Sequence, residues 1–340
     1  MLSESQRAGT VATLMRAQLP NGCMPWFEGG RWDPWDHVEA AMALDAGGAH
    51  GEAFAAYEFL ASEQRHDGAW ACPIVGGDRW TRVLDSNGAA YIAVGVHHHF
   101  LLTSDEGALH KLWPVVERGV EFALDLQMPS GAIAWSRDLS GEPGDHALLT
   151  GCSCLVMSIG SGIELARALG DERPDWELAR DALTRAVAGE GADFADRSRY
   201  SMDWYYPILG GVLTGDAARA RIEEGWDRYV VEGLGVRCVD DRPWVTSAET
   251  AETAMALVRC GMVDEAEALF EWVQYQRHDD GSYWTGATFP DGRHFPNERT
   301  TWSAAAIVLA NDVITRRGVA AEIFASETAA SSVPQMPAPP

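Results

Sequence analysis

Two pairs of carboxylates stand one helical turn apart in this chain: Asp33 with Asp36, and Glu249 with Glu252. Acids at that spacing share a helix face and repel each other, so capping alone is a poor reason for them. Asp85, Asp203 and Glu298 sit in similar settings, each at the opening of an apolar helix. Aromatic residues accompany them: Trp32, Trp35, Trp204, Tyr205, Tyr206, Trp244 and Trp302. Carboxylates among flat rings suit the cleavage of a glycosidic bond. One acid protonates the leaving oxygen, a second activates water or attacks carbon, and the rings cover the C–H face of a sugar.

The acids recur because the chain repeats. Six openers rich in polar and aromatic residues begin near Asp33, Asp85, Asp145, Ser201, Asp241 and Asn297. They are spaced by roughly 50 residues, the length of a large helical hairpin. Each leads into a helix of Ala, Gly, Ser and Leu that is apolar on most sides, as a helix packed on both faces must be. Between them lie Glu52 to Gln64, Ala108 to Gln127, Asp175 to Ala188, Ala217 to Val231 and Asp264 to Gln276, with apolar residues at helical spacing and charge on the other face. Buried helices inside a ring of amphipathic ones predict an all-α (α/α)6 toroid over residues 1–325, with a disordered tail over 326–340 that is rich in Ala, Ser and Pro. Strand signals are weak and predict no more than short extended pieces. In an antiparallel toroid every inner helix opens at the same rim, so the openers bring their acids to one mouth.

Composition narrows the partners. The chain has 340 residues, 46% of them hydrophobic, with 50 acidic against 26 basic side chains and a net charge of −24. That field repels nucleic acid and anionic membrane. The N-terminus lacks the basic-then-apolar layout of a secretory signal, and no run reads as a transmembrane span. Six scattered cysteines, Cys23, Cys72, Cys152, Cys154, Cys238 and Cys260, suggest free thiols and a cytoplasmic protein. No metal or organic cofactor is called for, and a homodimer is compatible with the sequence. The run His97-His98-His99 falls inside a helix and reads as packing or surface.

Three segments resemble the QW repeats of squalene-hopene cyclases and related prenyltransferase-like toroids. They are Gln64-x3-Gly68-x-Trp70, Gln127-x3-Gly131 with Trp135, and Gln276-x4-Gly281 with Trp284. In those proteins the Gln and Trp staple an outer helix end to its neighbour, so the likeness speaks for the fold. Terpenoid chemistry is the rival function, with Asp241 as its acid. However, Cys238-Val239-Asp240-Asp241 has Cys where the cyclase motif begins with Asp, and no diphosphate site appears. Asp85-Ser86-Asn87 and Trp113-Pro114-Val115-Val116 are similar to glucoamylase-type toroids, which are inverting α-glycosidases.

A wider resemblance spans about residues 10 to 320. Asp33-Pro34-Trp35-Asp36-His37, Met202-Asp203-Trp204-Tyr205-Tyr206-Pro207 and Asp241-Arg242-Pro243-Trp244, continued by Ala248-Glu249-Thr250, resemble an actinobacterial prenyltransferase-like family. The family is associated with the α-endomannosidase of methylmannose polysaccharide synthesis. The resemblance implies an endo-acting hydrolase of α-1,4-linked mannose units. On this reading Glu249 is the general acid and Asp36 the base, with exchange of the two roles left open. Asp33, Asp85, Asp203, Glu252, Glu298 and His37 would hold sugar hydroxyls, and Trp35, Trp204, Tyr205 and Trp244 would stack on the rings. Inversion requires the two catalytic carboxyls roughly 6.5–9.5 Å apart.

Overall fold

The computed structural model describes residues 1–76, 79–189 and 194–326. The predicted tail lies outside the described residues apart from Ser326. In chain order the elements are α1 (Glu4–Ala17), α2 (Pro34–Ala46), α3 (His50–Glu63), β1 (Ala71–Gly76), β2 (Arg79–Asp85), α4 (Ser86–Ala90), α5 (Ile92–Thr103), α6 (Glu106–Leu124), β3 (Ser136–Asp138) and α7 (Leu149–Ala168). There follow α8 (Pro174–Val187), α9 (Met202–Leu209), α10 (Gly215–Tyr229), β4 (Val230–Val231), β5 (Gly235–Arg237), β6 (Trp244–Thr246), α11 (Ser247–Arg259), α12 (Val263–Trp272), β7 (Gly286–Thr288), α13 (Thr301–Ile314) and α14 (Glu322–Ala325).

The inner ring is α2, α5, α7, α9, α11 and α13. Each packs on the next, and α13 returns to α2 to close the circle. These helices are apolar nearly all round: every residue of α11 is buried, as is α2 from His37 to Asp45. The outer helices α3, α6, α8, α10 and α12 bury one stripe each. The sixth outer helix is α1, which the sequence pattern did not pick out. It covers the last inner helix, α13, from the other end of the chain. The seam is fastened by Arg7, whose guanidinium donates to both oxygens of Asp312 at 2.9 and 2.6 Å, and by Thr10, which donates to the Gly281 carbonyl at 2.9 Å.

The Gln-Gly staples hold the outer ring. Gln64 Nε2 donates to the Gly68 carbonyl and to Val115 O of α6, both at 2.9 Å. Gln127 repeats this with Gly131 and Ala179 O of α8, at 3.0 and 2.9 Å. Gln18 does the same with Gly22 and Glu52 O of α3, a third staple that no tryptophan announces, whereas the expected Gln276 staple is not made: its Nε2 donates to the Tyr275 hydroxyl at 2.7 Å. At Gly68, φ is +93° and an added Cβ would lie 2.1 Å from Arg118 O, so no other residue fits there. Of the three predicted tryptophans only Trp70 belongs to a staple, donating to Leu60 O at 3.0 Å.

Two features differ from the sequence reading. A three-stranded sheet (β1–β2–β3) and a four-stranded one (β4–β5–β6–β7) lie in the long segments that precede inner helices. The hairpin of β1 and β2 pairs from Ala71↔Leu84 to Gly76↔Arg79, well beyond a short extended piece. Also, α7 is long and apolar enough, by length and composition, to cross a membrane. Within the toroid it is an inner helix, and 83% of its apolar window is buried there.

Turns from inner to outer helices, such as 47–49 and 260–262, are short, whereas segments returning to inner helices, such as 18–33, 125–148 and 277–300, are long. The toroid therefore has a plain closed end and an elaborate mouth, where all six inner helices begin.

Candidate active site

A cavity of about 330 Å³ opens at the mouth over the starts of α2 and α4. Its walls are Trp26, Trp32, Trp35 and Trp135, and its acids are Asp33, Asp36 and Asp85. Two of these acids are caps. Asp33 Oδ1 accepts from Asp36 N at 3.0 Å and Asp85 Oδ1 accepts from Gly88 N at 2.8 Å. The other oxygen of each fastens a wall. Trp26 Nε1 donates to Asp33 Oδ2 at 2.6 Å, and Trp135 Nε1 donates to Asp85 Oδ2 at 2.7 Å. Asp33 and Asp85 thus hold indoles, with both carboxylate oxygens occupied. Burial raises both groups, Asp85 to about 6, and the hydrogen bonds they accept oppose the rise.

Asp36 is different. It is no cap, and its carboxyl has no hydrogen-bond partner among the described residues. Burial pushes its pKa well above the carboxylate range, and the charges of Asp33, Glu39 and Glu252 push it further. Arg31, whose guanidinium lies 3.9 Å over the Trp26 ring, is the one opposing influence.

Beneath Asp36 lies a buried acidic floor. Glu39, one turn further along α2, accepts from the Tyr91 hydroxyl and is raised by burial to about 7. Glu252 accepts from the Tyr205 hydroxyl and from Trp302 Nε1, the latter at 3.2 Å. Burial and the charges of Glu39 and Glu249 raise it well above its ordinary value. Trp35 packs between Tyr91 and Tyr206, with centroids at 5.7 and 5.6 Å. Glu249 is 4% exposed in the first turn of α11 against the Cys238 thiol, and it is not among the residues that line this cavity. Both α2 and α11 pack on α13, so the two acid-bearing inner helices flank a common neighbour.

Several residues singled out in the sequence face elsewhere. His37 is fully buried behind α2: its Nδ1 accepts from Met24 N at 3.1 Å and its Nε2 lies 2.9 Å from Ala56 O. Burial lowers it to about 4, and neither nitrogen is left for a sugar. Trp204 points outward, donating to Arg221 O and stacking on Tyr229 of α10. Tyr205 is fully buried against Glu252 and offers no open face. Glu252 itself is 1% exposed, so it is out of reach of a sugar hydroxyl, and its oxygens serve Tyr205 and Trp302. Asp203 fastens the start of the neighbouring inner helix α7, accepting from Thr150 Oγ1 at 2.6 Å. Trp244 lies on the four-stranded sheet, donating to Phe295 O at 2.6 Å. Glu298 lines a separate recess. Asp241, the acid of the terpenoid alternative, is an exposed partner of Arg199.

Sequence reasoning missed Trp26, Trp135, Arg31, Glu39 and Tyr91 as parts of the site. Trp135 reads in the sequence as a loosened staple, though its distance from Gly131 already departs from that of Trp70 from Gly68. Glu39 carried a usable signal, an acid one turn beyond Asp36 on the same face.

No family profile matches the sequence. Among solved structures, an uncharacterized conserved protein from Thermus thermophilus aligns with TM-score 0.70 at 13% identity, over 89% of this chain and 98% of that one. A wild-type glycosidase aligns with TM-score 0.67 at 13% identity, over 91% and 96%. A D-mannose isomerase aligns with TM-score 0.63 at 11% identity, over 91% and 97%. At such identities the likeness shows the toroid, which serves more than one chemistry. The sequence itself is closer to a curated protein. It is 46% identical over 316 residues to the MMP endo-(1,4)-3-O-methyl-alpha-D-mannosidase of Mycolicibacterium hassiacum, covering 93% of this chain and 88% of the relative. The chain belongs to the family of that mannosidase and is a glycoside hydrolase.

Proposed function

We propose that the enzyme cuts α-1,4-linked, 3-O-methylated mannose chains internally and with inversion, using Asp36 as general acid and Glu249 as general base. The substrate follows from what the Mycolicibacterium hassiacum relative is named to act on. The assignment of roles rests on one observation: Asp36 is the cavity carboxyl with no hydrogen-bond partner among the described residues, and burial and three neighbouring acids push its pKa upward. A general acid must arrive at the glycosidic oxygen carrying its proton. The sequence reading has the two roles the other way round, and the surroundings of Asp36 favour the exchange.

In the proposed step Asp36 gives its proton to the glycosidic oxygen as the bond from that oxygen to the anomeric carbon breaks. Water attacks the opposite face and Glu249 takes its proton, leaving a free reducing end of inverted configuration. Trp26, Trp32, Trp35 and Trp135 wall the sugar. Asp33 and Asp85 keep two of those indoles in place.

The test is incubation with defined α-1,4-mannooligosaccharides, methylated and unmethylated, read by mass spectrometry, with NMR of the first-formed anomer. Internal cleavage yielding the β-anomer supports the reading. Release of the α-anomer would remove the inverting mechanism, and no cleavage at any chain length would remove the substrate.

A further inference from the structure

A second recess, of about 480 Å³, opens at the same mouth between the end of α1 and the segment 277–300. It is larger than the Asp36 cavity and contains none of that cavity's residues. Its wall mixes Phe27 and Trp284 with Glu28, Asn297, Glu298 and Arg299. Trp284 is one of the two tryptophans that read as loosened staples. Its ring is stacked on His294 at 4.3 Å with Arg299 on the same ring at 5.3 Å, which fixes it as part of the wall. Arg299 is itself held by Asp280 and Ser282, at 2.8 Å each. By contrast, the side chains of Asn297 and Glu298 have no partner among the described residues.

Only a thin partition separates the two recesses. Trp26 faces the Asp36 cavity, and its neighbour Phe27 faces the second recess. The turn that carries them is fastened by three backbone hydrogen bonds. Trp26 N donates to Arg31 O at 2.7 Å, Gly30 N donates to Phe27 O at 2.8 Å, and Thr301 N at the start of α13 donates to Trp26 O at 2.7 Å. The two recesses therefore lie on either side of this turn.

We infer that the second recess is a remote binding site for the uncut portion of the mannose chain, with Phe27 and the part of Trp284 that His294 and Arg299 leave open against its C–H and methyl surface, and Asn297 and Glu298 on its hydroxyls. The inference rests on the reading of the enzyme as endo-acting on such chains, since an enzyme that cuts internally has chain to hold on both sides of the bond. A mixed apolar and polar wall suits a sugar, which presents a C–H face and a rim of hydroxyls.

The test compares the full chain with its Trp284→Ala, Asn297→Ala double variant on two α-1,4-mannooligosaccharides. One is just long enough to be cut and the other is several times longer. The expected result is a rise of about tenfold in KM for the long chain, with kcat for both and KM for the short chain held within about twofold. Retained turnover of the short chain also shows that the variant is folded. An unchanged KM for the long chain, or an equal loss on both lengths, overturns the remote site while the proposed function stands. If the unaltered enzyme cuts neither length, the proposed function falls and the remote site with it.

Discussion

The two ends of α2 bury acids in opposite ways. At the closed end Asp45 is met by His99 Nδ1 and His50 Nδ1, both at 2.9 Å. At the mouth Asp36 meets Asp33, Glu39 and Glu252, with Arg31 alone against them. One helix of the same inner ring thus carries a compensated acid and an uncompensated one. A buried acid with its partners is part of the scaffold. A buried acid facing other acids weakens the fold, and such an arrangement marks a site where a perturbed proton is useful.

The largest expected effect comes from breaking the mouth. Asp36→Asn should lower kcat by about 10³-fold or more on a mannooligosaccharide substrate. At neutral pH it should leave the urea midpoint unchanged or raised, because Asn needs no proton to be buried there, whereas burial raises the Asp36 carboxyl well above its ordinary value. Asp45→Ala should do the reverse. It strands His99 Nδ1 in the core without its hydrogen-bond partner and should cost about 2 kcal/mol of stability, measured by urea unfolding, with kcat per folded molecule intact. If Asp36→Asn unfolds the protein, or Asp45→Ala spares it, the contrast between the ends is wrong.

A pH experiment sharpens the same contrast. Glu39 is raised from 4.5 to about 7 in the fold. Its protonated form is the one the fold favours, so its contribution to stability is complete below pH 4.5 and disappears as pH rises to about 7. Glu39→Gln keeps an oxygen for the Tyr91 hydroxyl without a charge to bury. It should be more stable than the unaltered protein at about pH 8, by roughly 3 kcal/mol, and equal to it near about pH 4. Unfolding midpoints across that range decide it, and parallel curves for the two proteins would reject an ionising Glu39. Activity should likewise fall on the alkaline side, as Asp36 loses its proton.

How far the sequence foretold this depends on what periodicity encodes. It encodes burial, so the inner helices were legible from runs such as Ala248 to Val258 in α11. The spacing of Gln64, Gly68 and Trp70 likewise announced a real staple. What periodicity does not encode is direction within a ring. Trp35 and Trp204 occupy similar openers, yet one lines the cavity and the other packs outward on Tyr229. His37 follows Asp36 directly, and one step along a helix turns a side chain by about 100°, here from the mouth into the core. The staple at Gln18 and Gly22 was hidden because Met24 stands where a tryptophan stands in the first repeat. The helix α1 was hidden because a closed ring lets the first element pair with the last. The walls Trp26 and Trp135 depend on acids elsewhere in the sequence, Trp135 on the distant Asp85 above all, and no local pattern joins them.

That last pairing gives the smallest of the predictions and the one that separates orientation from chemistry. Trp135→Phe keeps an aromatic wall but leaves Asp85 Oδ2 without the indole N–H. The ring is then free to turn, while Asp36 and its acidic neighbours are untouched. KM should rise by about three- to fivefold, near ~1 kcal/mol, with kcat almost unchanged. Since Asp85 is raised to about 6 and the lost hydrogen bond favoured its charged form, its pKa should move higher still. A fall in kcat as large as that of Asp36→Asn would place Trp135 in the chemistry and blur the line between the groups that hold the sugar and the one that donates the proton.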